Sequence, residues 1–170
     1  ISDCVNILIT GNPGSGKTTV LTKIRDILEL KGYKTGGIFS PEIRDGVRRV
    51  GFNITDIMSK RKGVLAHVDI DGPSVGRYKV NMEDLDEIGI TAVWEAIRKA
   101  DYIMIDEIAP MELYSREFSD SVEAALDSEK PLITVIHKKS KHPMVVGIKK
   151  RDDVKIFEVC RDNRNNLHDD

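Results

Sequence analysis

Residues 5–30 read VNILITGNPGSGKTTVLTKIRDILEL, and the succession of residue types in this stretch decides the fold. The apolar run Val5–Thr10 reads as a short buried strand. Gly11-Asn12-Pro13-Gly14-Ser15-Gly16-Lys17-Thr18 fills every fixed position of the pattern GxxxxGK[ST]. From Lys17 to Leu30 the apolar residues Val20, Leu21, Ile24, Ile27 and Leu28 recur at the spacing of one helix face, and Gly32 is a natural stop. Strand, glycine loop and helix follow one another as a phosphate-binding loop requires. Glycines let the backbone curl so that successive N–H groups point at one anion. The helix N-terminus adds its positive end. Lys17 can reach the β- and γ-phosphates, the Thr18 hydroxyl can ligate Mg²⁺, and Thr19 can meet the α-phosphate.

Outward from this loop the chain alternates between apolar strands and amphipathic helices. Gly36–Ser40 reads as a second strand. Asp45-Gly46 lies between two strand-like runs and signals a hairpin. Gly63–Val68 reads as a further strand, and Asp71–Val80, with Gly72, Pro73 and Gly76, as irregular chain. Helices are expected at 84–100 and 116–127, with a short one at Val145–Lys149. Buried strands are expected at Tyr102–Ile105, Leu132–Ile136 and Val154–Val159, and a helix is expected to begin near Asn163. The fold expected is therefore α/β, one P-loop domain spanning 1–170. It has a mainly parallel sheet flanked by helices, and a β-rich, hairpin-containing insertion (36–80) after the second strand.

A second acidic motif supports the first. Tyr102-Ile103-Met104-Ile105 ends in Asp106-Glu107, and ligands of open α/β sheets bind at the carboxyl ends of strands. Asp106 is the candidate for holding Mg²⁺ through its water shell, and Glu107 for taking a proton from attacking water. An Asp-Glu pair of this kind goes with a strand inserted between the loop strand and the acidic strand, and Leu132–Ile136 is the candidate. His137, at its end, either hydrogen-bonds the γ-phosphate or the attacking water, or is a surface histidine. Arg44 reaches a phosphate or caps the hairpin tip. Glu112 orients a catalytic group or is a surface carboxylate. Arg164 lies near the base or phosphates, or at the surface of a helix start. Sequence alone singles out no arginine as the stabiliser of transition-state charge.

Composition narrows the classes. The 170 residues are 40% hydrophobic and 32% charged, with a net charge of -2, a globular balance with no general attraction to nucleic acid or anionic membrane. No apolar run is long enough to span a bilayer and no signal peptide is read, so a cytoplasmic location is expected. The basic stretch Lys138, Lys139, Lys141, Lys149, Lys150 and Arg151 contains no stacking aromatics and reads as a solvated face, not a nucleic-acid surface. The four histidines show no zinc spacing. Cys4 and Cys160 read as buried thiols. They open the first strand and close the last, roughly 16–20 Å apart, beyond the ~7 Å that a disulfide can bridge.

With both motifs in view, the chain resembles the THEP-type nucleoside triphosphatases. The resemblance runs from ITGNPGSGKTT through Pro41-Glu42-Ile43-Arg44 and Gly51-Phe52. It continues in Val75-Gly76-Arg77-Tyr78-Lys79-Val80-Asn81, in Ile105-Asp106-Glu107-Ile108 with Met111-Glu112-Leu113 and Phe118, and in Asn163-Arg164. Ala109 and Asp162 depart from the family pattern, which has Gly and Glu there. The resemblance implies slow, Mg²⁺-dependent hydrolysis of several nucleoside triphosphates, including ATP and GTP, with broad base tolerance. It names neither the physiological triphosphate nor a protein partner. Two other readings stay open: a nucleoside or other small-molecule kinase, with 36–80 supplying the acceptor site, and an NTP-dependent accessory module acting on a partner. Replacing Lys17 by Ala is expected to weaken triphosphate binding greatly, because the polyanion loses its closest point charge. A fluorescent-nucleotide titration with unchanged affinity would remove the loop as the phosphate site.

Overall fold

The strand before the glycine loop takes its partners from far along the chain. In the computed structural model, which describes residues 5–12, 15–160, 163 and 165–169, β1 (Asn6–Gly11) pairs in parallel with β9 (Leu132–Ile136) on one side and β10 (Val154–Val159) on the other. β9 in turn pairs in parallel with β8 (Tyr102–Ile108), and β8 with β2 (Thr35–Phe39). Leu132–Ile136 thus lies between the loop strand and the acidic strand, as the Asp-Glu pair implied. The expectations attached to Cys4, Pro13, Gly14, Asp162 and Arg164 fall outside the described residues.

Beyond β2 the same sheet continues in antiparallel sense. β3 (Glu42–Asp45) and β4 (Arg48–Asp56) form the hairpin, followed by β5 (Lys62–His67), β6 (Ser74–Val75) and β7 (Tyr78–Val80). The order is β10-β1-β9-β8-β2-β4-β5-β7-β6, with β3 also on β4. The expected α/β sheet flanked by helices is present: five strands run parallel, and the β-rich 36–80 insertion adds five antiparallel strands to the edge of the same sheet. One expectation is corrected here. Asp71–Val80 is not irregular throughout: Ser74–Val75 and Tyr78–Val80 form a tight hairpin docked on β5.

Strand alternation divides the apolar side chains between two cores. Ile9, Met104, Ile133 and Val135 face α1 (Lys17–Leu30), packing on Val20 and Leu21. Leu8, Ile38, Ile103, Ile105 and Ile136 face the opposite helices. These are a continuous helical stretch and α4 (Arg116–Asp127). The stretch is built from α2 (Met82–Asp84), a π-helical segment (Leu85–Ile90) and α3 (Thr91–Lys99). Asn81 caps its start by accepting a hydrogen bond from the Asp84 N–H, and Ser115 caps α4 by accepting from the Phe118 N–H. α5 (Pro143–Lys149) adds Val145 and Ile148 to the second core. The helix expected near Asn163 is replaced by turns and a 3₁₀ segment (Leu167–Asp169). There the Asn163 amide accepts from the Cys160 N–H and donates to the Glu158 carbonyl. Cys160, expected to be buried, is exposed. Among the described residues no helix is long and apolar enough to cross a membrane.

One irregularity positions the site. Pairing between β8 and β9 passes from Ile105↔Thr134 to Ile108↔Ile136, so β8 takes three steps where β9 takes two. The extra residue is a bulge at Asp106-Glu107, a device that re-aims side chains. Its effect is visible in the packing. Strict alternation would send Ile108 to the face of Met104, yet Ile108 lies in the same core as Ile103 and Ile105. The strand therefore runs through the acidic pair to Ile108 instead of ending before it. The buried Thr134 hydroxyl donates to the Ile105 carbonyl at 2.7 Å, at the residue where the ladder breaks. Thr134→Val keeps the shape and removes that donor. It is expected to lower stability by about 1–3 kcal/mol, read from urea denaturation.

Candidate active site

The glycine loop joins β1 to α1 through two positions that only glycine fills. Gly16, at the N-cap of α1, has φ 100, in the left-handed region that side chains disfavour. At Gly11 an added Cβ would lie 2.6 Å from both the Ser15 hydroxyl and the Val159 carbonyl, so β10 presses directly against the base of the loop. Lys17 extends back along the loop and donates from Nζ to the carbonyls of Gly11 (3.2 Å) and Asn12 (3.0 Å). The loop, the bulge of β8 and the antiparallel extension enclose a cleft of about 640 Å³, within the usual range for small-molecule sites.

Most of the described sequence candidates meet in this cleft, while Gly11, Asn12 and Ser15 of the loop are not among the residues that line it. Gly16, Lys17, Thr18, Thr19, Asp106, Glu107, Glu112 and His137 all line this cleft. Arg44 does not: it pairs with Glu42 and donates to the Val47 carbonyl at the exposed hairpin tip. The residues that sequence reading missed come mainly from the extension and the turn after β8. They include Ser40, Glu42, Arg49, Phe52, Val75 and Met111. Arg49 is the consequential one. Its neighbour Arg48 and the nearby Arg44 look equivalent in sequence, and only the hairpin register separates them.

Asp106 is 6% exposed. Its Oδ1 accepts from the Thr18 hydroxyl at 3.3 Å and its Oδ2 from the Ser40 N–H at 3.1 Å. Burial raises its pKa, and these two donors oppose the rise. Glu107 is raised by burial and by the neighbouring Asp106 charge, against the pull of Lys17, His137 and Arg49. A hydroxyl and a carboxylate brought together beside a lysine-bearing loop form a set of hard oxygen donors suited to Mg²⁺ next to bound phosphates. Glu107, the second carboxylate on the same bulge, lines the cleft beside them.

The sequence as a whole has known relatives. A family model described as NTPase matches residues 6–170. The chain belongs to this NTPase family. The nucleoside-triphosphatase THEP1 of Methanothermobacter thermautotrophicus is 45% identical over 164 residues, covering 96% of this chain and 92% of that protein. The THEP1 of Thermotoga maritima is 45% identical over 164 residues, with 96% and 91% covered. The crystal structure of THEP1 from the hyperthermophile Aquifex aeolicus matches with a TM-score of 0.83 at 31% identity, covering 96% of this chain and 95% of that one. The solution structure of a human cancer-related nucleoside triphosphatase matches with a TM-score of 0.80 at 30% identity, covering 98% and 94%.

In this NTPase the segments that carried the resemblance, from the glycine loop to Met111-Glu112, meet around one cleft, while Asn163 lies against the end of β10. Tyr78 holds Arg49, Asn81 caps the helical stretch, and Tyr114 donates to the Ser74 carbonyl at 2.9 Å, tying the turn after β8 to the β6–β7 hairpin. Glu112, read from sequence as a possible surface carboxylate, is 2% exposed. It accepts from the Ala109 N–H at 3.2 Å. Burial pushes its carboxyl well above the usual range. The backbone N–H groups of Glu112 and Ala109 oppose that rise, and the Glu107 and Asp106 charges add to it. A carboxyl whose folded pKa is raised binds its proton more tightly folded than unfolded. Its contribution to stability is therefore present at low pH and lost as pH rises from the ordinary glutamate range through the raised value. Glu112→Gln removes this term. Its melting temperature is expected to fall less than that of the parent between about pH 5 and pH 8, measured by thermal denaturation across that range.

Proposed function

We propose that this chain hydrolyses nucleoside triphosphates to diphosphate and phosphate with Mg²⁺, slowly and with broad tolerance of the base. Family membership supports triphosphate hydrolysis, and the sequence resemblance supports the breadth and the slow rate. One observation carries the mechanism: the β8 bulge turns two adjacent carboxylates, Asp106 and Glu107, into the cleft of the glycine loop.

In this reading the N–H groups of the loop from Gly11 to Thr19 cradle the phosphates, and Lys17 exchanges its contacts with the loop carbonyls for phosphate oxygens. Thr18 and Asp106 would hold Mg²⁺; their oxygens are hard donors within 3.3 Å of each other. An ion held there would supply positive charge to offset that of the phosphates. Glu107 accepts a proton from the water that attacks the γ-phosphorus and aligns that water opposite the leaving diphosphate. His137 lines the same cleft and can hydrogen-bond the γ-phosphate or the water.

A second reading, phosphoryl transfer to a small molecule, draws on the apolar far wall of the cleft, made by Phe52, Leu65, Val75 and Met111. Water needs no such wall. The two readings part on where the phosphate goes. Incubation with ATP, GTP, CTP or UTP, with and without Mg²⁺, should release inorganic phosphate only with the metal. Phosphate appearing on an added nucleoside in place of water would favour transfer. Glu107→Gln should bind Mg²⁺–ATP with near-normal affinity and turn over about 10²-fold more slowly or worse. Asp106→Asn should impair the Mg²⁺ dependence as well. Parent-rate hydrolysis by Glu107→Gln would exclude it as the base and move the role to His137 or Glu112.

A further inference from the structure

The charge lining the cleft is unbalanced for a site that receives a polyanion. Three carboxylate-bearing residues line it, Glu42, Asp106 and Glu107, with the buried Glu112 behind them, against two permanent cations, Lys17 and Arg49. Lys17 belongs to the glycine loop. Arg49 comes from β4 in the antiparallel extension, a separate part of the sheet.

The Arg49 side chain is 42% exposed toward solvent and is contacted by an ordered set of neighbours. Its Nε donates to the Tyr78 hydroxyl at 2.9 Å, and its Nη1 lies 3.2 Å from Glu42 Oε1. The guanidinium carbon stands 5.0 Å from the centre of the Phe52 ring and 5.8 Å from that of Tyr78. Arg77 also donates to the Tyr78 hydroxyl, at 3.0 Å. The Tyr78 and Phe52 contacts fix the plane of the guanidinium without neutralising it. Glu42 is the only carboxylate among its partners in the described residues. That carboxylate is itself shared with Arg44.

We propose that Arg49 is the charge-stabilising residue of the reaction: with triphosphate bound, its guanidinium exchanges Glu42 for oxygens of the γ-phosphoryl group. This rests on the hydrolytic reading above. The oxygen of water forms a bond to the γ-phosphorus, and the bond from that phosphorus to the β,γ-bridging oxygen breaks. The electron pair of that bond leaves with the diphosphate, and a water proton passes to Glu107. Charge is then spread over the γ-phosphoryl oxygens and the bridging oxygen, where a planar, rigid, fully charged donor is most effective. Glu42 is the resting partner, so it competes with the phosphate for Arg49.

The two partners therefore have opposite expected effects. Arg49→Ala should lower kcat for Mg²⁺–ATP by about 10²-fold or more while changing KM far less. It should also lose the tightening of ADP binding that aluminium fluoride, a mimic of the transferring phosphoryl group, produces in the parent. Arg49→Lys should recover part of the rate, because charge returns without the planar fork. Glu42→Gln should show a kcat/KM at or above that of the parent. Thermal melting checks that each variant is folded, and Arg49→Lys and Glu42→Gln carry the test if Arg49→Ala is not. Parent-like kcat in Arg49→Ala, or a loss of kcat/KM in Glu42→Gln matching that of the Arg49 variants, would overturn the proposal. The second result would make the pair a structural wall. Lys17→Ala and Glu107→Gln separate the two levels. If they lose turnover and Arg49→Ala does not, only Arg49 is misassigned; if they too keep turnover, the hydrolytic reading of the cleft fails with it.

Discussion

A β-strand sends neighbouring side chains to opposite faces, so two adjacent carboxylates on a regular strand cannot both serve one cleft. The site depends on breaking that rule at one place. The single extra residue in β8 lets Asp106 keep the face of the glycine loop while Glu107 joins it in the cleft. The strand resumes at Ile108 in the opposite phase and re-enters the core. The lost ladder pairing is offset locally by the Thr134 hydroxyl on the Ile105 carbonyl. Because β9 supplies that hydroxyl, the strand between β1 and β8 also supports the irregularity that makes the acidic pair useful.

The antiparallel extension supplies the other side of the cleft. It grows from β2 as a continuation of one sheet, so its wall residues are held by main-chain pairing and not by a hinge. Phe52 and Tyr78 meet edge to face at 5.4 Å between ring centres and clasp Arg49. Tyr114 ties the turn after β8 to the β6–β7 hairpin. Glu112, fully enclosed beneath this junction, packs a carboxyl where an apolar residue would fill the space at less desolvation cost. Its contact with the Ala109 N–H fixes the turn that follows the acidic pair.

Much of this was legible in the sequence because it is carried by local patterns. The glycine loop, α1, the central position of Leu132–Ile136 and the Asp45-Gly46 hairpin each follow from a few residues and one rule. What was not legible depends on register between distant segments. The parity of Arg48 and Arg49 is set by pairing with β3 and β5. The hairpin in Asp71–Val80 forms only because β5 offers it an edge, against the turn-rich look of Gly72, Pro73 and Gly76. The burial of Glu112 follows from the packing of β8 and its turn, and nothing in Met111-Glu112-Leu113 distinguishes a buried carboxylate from a solvated one. The bulge itself leaves no mark in Ile105-Asp106-Glu107-Ile108 beyond the pair of acids.

The pairing of β1 has a consequence for the nascent chain. Among the described residues β1 finds its strand partners only in β9 and β10, more than a hundred residues later in synthesis. Until Leu132–Ile136 emerges from the ribosome, the strand beneath the glycine loop has no hydrogen-bonding neighbour. The last support of Gly11, the Val159 carbonyl, arrives later still. The antiparallel extension, built from near neighbours in sequence, has no such wait. Long-range parallel pairing of this kind is slow and leaves apolar strands uncovered in the interval. The capacity to grip a phosphate is thus among the last properties the polypeptide acquires, and a truncated translation product would carry the complete loop motif without a platform to shape it.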